Sequence, residues 1–371
     1  MSGHVGDAPQ WWIDVDLQPD KVAALRVLGL TPEERQRMLT NFLSYPGQDR
    51  MPTVPVVPAR VQRGLQEQYP IDLNLIRALL NLVGRSDIAA RLQLPATSED
   101  QQAFTNRDRE LAEDVVNFET RNRTNMARVA PLLQDIYLYL RGSSPTDALS
   151  VFKEGDTPVD LVIVPGCRGR GMKLRAIQAV HVVGTSPTSA RLFLSGLHPY
   201  YARQFDFDAP VNVDVPSPLP FGEADAMAAV VEELAPELVG AEYKPAKYDA
   251  RRVDPPMRQM VIDSRARNTL ETVVHCLPIL QEMHLKLGRP VNICLVTSPY
   301  HVRRFHAITT VRLRHLLPVS HLIGTIVCSV ARSSVDMPQL QDPANARHGY
   351  AVGLYIRECL KLLGGRISGE F

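Results

Sequence analysis

Residue types suited to binding an anion follow directly on a strand-like segment late in the chain. The apolar run at residues 293–296 stops and passes at once into a helix-like stretch, the pattern of a strand followed by a helix. The side chains of interest at this junction are Thr297, Ser298, His301, Arg303 and Arg304. Ligands of open α/β sheets bind at the carboxyl ends of strands, and helix N-termini favour anions. We therefore expect an anionic, nucleotide-like small molecule here, with Arg304 pairing its carboxylate or phosphate and His301 as a candidate base.

A second group of candidate residues lies in a glycine-rich, basic loop that follows the apolar run at residues 159–164. Gly166 and Gly171 have the spacing of a phosphate-binding P-loop, but the Gly-Lys-Ser/Thr that should follow is missing, so no P-loop is predicted. The loop amides and Arg168 are expected to cradle an anion, with a solvated loop as the alternative. Adjacent arginines are expected to lower the pKa of Cys167, although the sequence favours a thiol without a catalytic role.

Further polar candidates follow other apolar runs or open other helix-like stretches. Ser195-Gly196 ends a run, and a small residue with a glycine lets the backbone approach a ligand closely. Glu223 opens a helix, where a carboxylate complements the helix dipole; it is also a candidate ribose partner or base. The next helix can be capped by Asn268 or Thr269, and Glu271 in its first turn is a second candidate ribose partner.

The elements that must position these residues alternate between strand-like and helix-like segments from about residue 151 onwards. Strands are predicted at residues 159–164, 191–194, 257–262, 291–296 and 322–329, and helices at 173–183, 223–234, 268–287, 300–316 and 346–363. Continuous apolar strands alternating with helices indicate a mostly parallel sheet covered on both faces. The predicted fold is therefore a doubly wound α/β domain over residues 151–371.

Residues 1–150 are predicted to form a helical N-terminal region. A capping box at Thr31-Pro32-Glu33-Glu34 opens a helix, residues 73–83 form a short apolar helix, and further helical stretches reach residue 140. This region is a candidate surface for a partner or for a homo-oligomer. The Trp11-Trp12 pair would either anchor such a contact or cover an edge of the core.

Composition narrows the classes of function. A net charge of +1 with 6% aromatic residues argues against a nucleic-acid partner, and no apolar run approaches the ~18 residues of a membrane span. The cysteine number, five, is odd, and CxxC does not occur; together with an N-terminus unlike a signal peptide, this predicts a cytoplasmic protein. No metal site is predicted, because the histidines and cysteines lack ligand spacing.

The order of these segments resembles that of the YdcF-like family, to which SanA and ElyC also belong. The matching residues are Gly166 after the first strand, Arg175 and Ala179, Ser195-Gly196, Glu223-Ala224, then Ser264, Asn268, Thr269 and Glu271, then Thr297, Ser298, His301 and Arg304, and finally residues 355–360. The resemblance covers roughly residues 158–365. It implies a Rossmann-like fold with a polar cleft at the strand ends, at which the matching residues would line the ligand site.

Three functions remain open at the level of sequence. The resemblance implies S-adenosylmethionine or a similar adenosyl ligand, because some members of the family are described as binding it. A second possibility is a hydrolase or transferase for a sugar-phosphate or carrier-phosphate substrate, since other members are linked to cell-envelope or lipid-carrier phosphate metabolism. A third is a non-catalytic module that binds a partner through its helical N-terminal region.

Overall fold

The computed structural model describes most of the chain between residues 149 and 331 and separate parts outside it. The described residues are 72–82, 86–91, 126–142, 149–167, 170–196, 199–200, 221–239, 259–263, 266, 268–316, 319–331, 355, 358–359 and 361–362. The helix cap at residues 31–34, the Trp11-Trp12 pair, Arg168 and Ser264 lie outside them, as does most of the helix predicted at residues 346–363.

A parallel sheet of five strands forms the centre of the fold. Its strands are β1 (Leu161–Pro165), β2 (Arg191–Ser195), β5 (Met260–Asp263), β6 (Val291–Thr297) and β7 (Ile323–Val330), in the order β5-β2-β1-β6-β7. Every neighbouring pair in this sheet is parallel. A separate antiparallel pair joins β3 (Pro199–Tyr200) to β4 (Phe221–Gly222). The predicted α/β fold with a parallel sheet is confirmed, because each of the five predicted strands overlaps an observed one.

Helices pack against both faces of the sheet. They are α1 (Leu73–Leu82), α2 (Ser86–Arg91), α3 (Met126–Arg141), α4 (Arg170–Thr185), α5 (Glu223–Leu234), α6 (Pro236–Val239), α7 (Thr269–His275), α8 (Leu277–Leu287) and α9 (Val302–Thr310). Alternate residues of β1 enter different hydrophobic clusters: Leu161 and Ile163 pack with α7, α8 and α9, and Val162 and Val164 pack with α4 and α5. A strand buried on both sides reads as a continuous apolar run, as observed here.

The described helices of the predicted N-terminal region share this core. Ile76 of α1 and Ile136 and Leu140 of α3 belong to the same buried cluster as α9 and one face of the sheet. The boundary proposed at residue 150 stays a prediction. Among the helices described, none has the length and apolar character needed to cross a membrane.

Two helical stretches differ from the continuous helices predicted for them. The stretch 268–287 is divided at Cys276 into α7 and α8, because Pro278 has no N–H to donate and is tolerated only in a first turn. The stretch 300–316 begins with a 3₁₀ turn at Pro299–His301 and ends with a π-helical turn at Val311–Leu316 on either side of α9.

The order of the strands reverses between β1 and β6, which are neighbours in the sheet but far apart in sequence. At their amino ends the two strands are joined through the buried carboxylate of Asp160. It accepts hydrogen bonds from Arg289 Nη1 at 2.7 Å, from Arg289 Nη2 at 2.8 Å and from the Asn292 amide at 2.8 Å. Residues 161–163 pair with residues 293–295, so the two strands run side by side toward their carboxyl ends, and the candidate site lies there.

Candidate functional site

Polar residues from four strand ends and the helices that follow them meet at the carboxyl edge of the sheet. We call this set the strand-end cluster: Gly166, Arg175, Ser195, Gly196, Glu223, Asp263, Asn268, Thr269, Glu271, Thr272, Thr297, Ser298 and His301. Most of the residues predicted from sequence to bind a ligand belong to it. Arg168 lies outside the described residues, and the two arginines of α9 are treated below.

The carboxylate of Glu223 lies against the backbone at the ends of β1 and β2. Glu223 is buried at the start of α5, and a Cβ placed on Gly166 would overlap its Oε2. A Cβ on Gly196 would lie 2.8 Å from both the Cβ and the Oε2 of Glu223. The Ala224 amide donates to the Gly196 carbonyl at 3.3 Å, which ties the start of α5 to the end of β2. The side chain of Glu223 therefore fills the space that these glycines leave.

Arg175 connects the two strands between which the strand order reverses. Its side chain is 1% exposed. Its Nη1 donates to the carbonyls of Pro165 and Gly166 at 2.8 and 2.9 Å, and its Nε donates to Ser298 Oγ at 3.0 Å. The guanidinium thus holds the β1–α4 loop to the end of β6. The sequence analysis named Arg175 without giving it a role, and its position near the start of a helix that follows a strand was the available signal.

A buried network joins the ends of β2 and β5 to α7. Ser195 Oγ lies 3.2 Å from Asp263 Oδ2 and 3.1 Å from Thr272 Oγ1. Asp263 Oδ2 also pairs with His275 Nδ1 at 2.8 Å. Ser195 is 0% exposed, so its hydroxyl orients these neighbours and does not face solvent. Asp263 and His275 were missed as site residues, although Asp263 directly follows a predicted strand.

His301 is enclosed between two threonine hydroxyls. Its Nδ1 lies 2.9 Å from Thr297 Oγ1 and its Nε2 lies 3.1 Å from Thr269 Oγ1. The ring stacks on Phe305 with the centroids 5.7 Å apart and the planes at 9°. Burial, and then the positive charge of Arg304, hold its pKa well below the ordinary value of 6.5. The imidazole is therefore neutral at neutral pH, the form that can accept a proton.

The two adjacent arginines of α9 point to different partners. Arg304 Nε donates to Glu358 Oε2 at 2.8 Å, Nη2 approaches Oε1 at 3.4 Å, and Nη1 donates to Thr269 Oγ1 at 3.3 Å. Arg303 is buried against α3 instead: its Nε donates to the Tyr139 carbonyl at 2.7 Å, and its guanidinium lies 4.2 Å from the centroid of the Tyr139 ring. Arg304 thus borders the strand-end cluster, and Arg303 is directed away from it.

The prediction that basic neighbours lower the pKa of Cys167 is wrong. Burial raises the pKa of this thiol to about 11, against the opposing charge of Arg175, and Glu223 raises it further. The half-buried sulfur lies over Gly171, where a Cβ would be 2.8 Å from it. A thiol in such surroundings stays protonated, so Cys167 is not an activated nucleophile.

Asn268 and Glu271 form the N-terminal cap of α7. Asn268 Oδ1 accepts from the Glu271 amide at 2.9 Å, and Asn268 Nδ2 donates to Glu271 Oε1 at 3.2 Å. The capping role predicted for Asn268 is confirmed. Asn268 is exposed and Glu271 is buried, so the cap lies at the rim of the cluster with its carboxylate turned inwards.

The described cluster contains three carboxylates, on Glu223, Asp263 and Glu271, and one guanidinium, on Arg175. Carboxylates, hydroxyls and a neutral imidazole accept hydrogen bonds from hydroxyl and amino groups and favour positive charge. Within the described part of the chain no group of three or more His, Cys, Asp and Glu residues has a metal-binding arrangement. Comparisons with models of protein families, with curated proteins and with solved structures find no match to this chain.

Proposed function

We propose that the strand-end cluster binds an adenosyl-type small molecule such as S-adenosylmethionine, in a Rossmann-like domain of the YdcF-like family. The observation that carries the proposal is the buried carboxylate of Glu223 at the junction of the β1 and β2 ends. In Rossmann-like sheets an acidic side chain near this edge accepts the hydroxyl groups of a ribose. Glu223 would take this role, with Glu271 as the second acceptor.

The strand order supports a nucleotide-type ligand at this place. Counted along the chain, the five parallel strands have the order 3-2-1-4-5, which matches the first five positions of the doubly wound dinucleotide-binding sheet. In such sheets the ligand binds outside the carboxyl ends, where the order reverses. Gly166 and Ser298 flank this position and are held to each other through Arg175.

The charge of the cluster favours an adenosyl cation over a phosphate. S-adenosylmethionine carries positive sulfonium and ammonium groups beside one carboxylate, and the positive groups suit the carboxylates of Glu223 and Glu271. A phosphate brings negative charge alone, while Arg175 donates to backbone carbonyls and Arg304 pairs with Glu358. A sugar-phosphate substrate would therefore have to bind at the basic loop around Arg168, and we rank it second.

A catalytic role would use the neutral imidazole of His301 as a general base. Its two nitrogens are both engaged by threonine hydroxyls, so a substrate group would replace one of these contacts. Binding and catalysis are separate claims, and binding is the one to test first.

The test is titration calorimetry of the full chain with S-adenosylmethionine, S-adenosylhomocysteine, AMP and a sugar nucleotide. Loss of a hydrogen bond to a charged group costs about 1.5–3 kcal/mol, so Glu223→Gln should weaken adenosyl binding by roughly tenfold or more. Glu233→Gln, an exposed change on the same helix, is the matched control and should leave the affinity unchanged.

The outcomes separate the candidates. Saturable binding of the adenosyl compounds that depends on Glu223 supports the proposal. If the folded protein binds none of them, the adenosyl proposal fails. Tighter binding of AMP or the sugar nucleotide, insensitive to Glu223→Gln, would favour the phosphate-bearing substrate.

A further inference from the structure

A chain of side-chain contacts runs from the C-terminal part of the protein into the strand-end cluster. It starts at Glu358, passes through Arg304 and Thr269 to His301, and ends at Thr297 on β6. Glu358 is 4% exposed, and burial opposes its ionisation, but Arg304 and Lys361 outweigh this and lower its pKa. Glu358 is therefore ionised and holds the guanidinium of Arg304 in place.

The neighbourhood of Glu358 is packed, so the fork of Arg304 has little freedom. Tyr355, one helical turn earlier, is 0% exposed, and its ring contacts Tyr137 of α3 at 6.0 Å and Tyr300 at 6.1 Å between centroids. Cys359 belongs to the same buried cluster. The carboxylate is thus carried by a segment anchored on the core, and its position relative to α9 is defined.

Arg304 determines how the hydroxyl of Thr269 is used. A guanidinium can only donate, so the Nη1 contact at 3.3 Å occupies a lone pair of Thr269 Oγ1. A cation beside a hydroxyl polarises its O–H bond and makes it the better donor. Thr297, whose Oγ1 contacts Nδ1 of the same imidazole, is fully buried. None of the described hydrogen bonds of Arg304 reaches Thr297.

We propose that Glu358 is a positioning residue that, through Arg304 and Thr269, holds His301 as the neutral Nδ1–H tautomer. Thr269 donates its proton to Nε2, and Nδ1–H donates to Thr297 Oγ1. The lone pair of Nε2 then faces the start of α7, next to the exposed cap residue Asn268. The basic nitrogen is the one that contacts α7, where a substrate proton would replace that of the Thr269 hydroxyl.

The importance of this tautomer for catalysis rests on the proposed function, but the tautomer is measurable without any ligand. The experiment is a long-range ¹H–¹⁵N spectrum of the full chain labelled with ¹⁵N-histidine at neutral pH. The signals of His301 are assigned by their loss in His301→Gln. The wild type should show the pattern of a neutral ring protonated at Nδ1, and a ring protonated at Nε2 or at both nitrogens overturns the proposal.

Two variants test the part played by Glu358. In Glu358→Ala the acceptor that holds the Arg304 guanidinium is removed, so its contact with Thr269 is no longer fixed. The tautomer ratio should then move toward Nε2–H by roughly tenfold, the equivalent of one charge-assisted hydrogen bond. Arg304→Lys keeps a cation that can pair with Glu358 but lacks the fork that also reaches Thr269, and it should have the same effect. Glu282→Gln, which removes a distant ion-pair carboxylate on α8, is the control and should leave the spectrum of His301 unchanged.

Each result decides the proposal. A folded Glu358→Ala protein that keeps the wild-type tautomer overturns the positioning role. If that variant does not fold, Arg304→Lys gives the answer by the same criterion. A failure of S-adenosylmethionine to bind would refute the proposed ligand and would not alter the spectrum of the free protein, so the two failures are distinguishable.

Discussion

The contact between Glu223 and Gly166 leads to a prediction for a double-mutant cycle. A Cβ on Gly166 would overlap Oε2 of Glu223 and lie 2.9 Å from its Cδ and 3.0 Å from its Cβ. Forcing a methyl group into a packed site costs about 1–3 kcal/mol, so Gly166→Ala should lower the free energy of unfolding by that amount. In a Glu223→Ala background the Oε2 and Cδ contacts are gone, and the cost should fall below about 1 kcal/mol.

The assay is equilibrium unfolding in urea, with stabilities taken from linear extrapolation. The coupling energy between the two changes should be about 1–2 kcal/mol, well above the few tenths expected for independent sites. Gly184→Ala in α4 is the control: a Cβ there meets nothing within 4 Å, and alanine should stabilise the helix by up to ~1 kcal/mol. Additive effects of Gly166→Ala and Glu223→Ala would refute the placement of the carboxylate over the glycine.

Three further predictions concern acid stability, the loop thiol and the buried guanidinium. Burial lowers the pKa of His306 from 6.5 to about 4, so the unfolded chain binds more protons than the folded protein below pH 6.5. This residue alone should therefore remove up to about 3 kcal/mol of stability as the pH falls from 7 to 4. The stability of His306→Gln should depend less steeply on pH, and an unchanged slope would contradict the assignment. Because burial raises the pKa of Cys167 to about 11, iodoacetamide should alkylate this thiol at pH 8 about 100-fold more slowly than an exposed cysteine. Peptide mass spectrometry measures the rate, with Cys167→Ser as the blank, and labelling at the rate of an exposed thiol would disprove the prediction. Arg175→Lys should destabilise the protein by about 1–3 kcal/mol, because one ammonium group cannot supply both the Nε and the Nη1 contacts. An unchanged midpoint of unfolding in urea would show that Arg175 does not hold the end of β1 to the end of β6.

The strands were predictable from sequence because each is a short, continuous apolar run. Residues 159–164 and 291–296 are apolar throughout except for Asp160 and Asn292, and parallel strands buried on both faces require that pattern. Helix boundaries were less accurate. The division of the stretch 268–287 depends on Pro278 being placed in a first turn, which a periodicity of apolar residues does not reveal.

The site was predictable in its location but not in its pairings. Residues that follow parallel strands meet at one edge, so the prediction that Ser195, Thr297 and His301 lie at the same edge needed only the fold. Which acid pairs with which base depends on side-chain packing between distant segments. Arg304 and Glu358 are 54 positions apart, and no local pattern connects them. Arg304 was predicted to pair with the carboxylate or phosphate of a ligand, and the structure shows that it pairs with the carboxylate of Glu358.

The position of β1 beside β6 has a consequence for the way this protein folds. Leu161 pairs with Arg191 of β2 on one side and with Ile293 of β6 on the other. During synthesis β2 follows β1 closely and can pair with it early, whereas β6 is made about 100 residues later. Pairing between such distant segments is slow. Until β6 pairs with it, the strand Leu161–Pro165 has one apolar edge with unpaired backbone N–H and C=O groups. Such an edge can pair with strands of other chains. We therefore expect aggregation during refolding to be seeded at this edge and to be relieved by conditions that favour docking of β6.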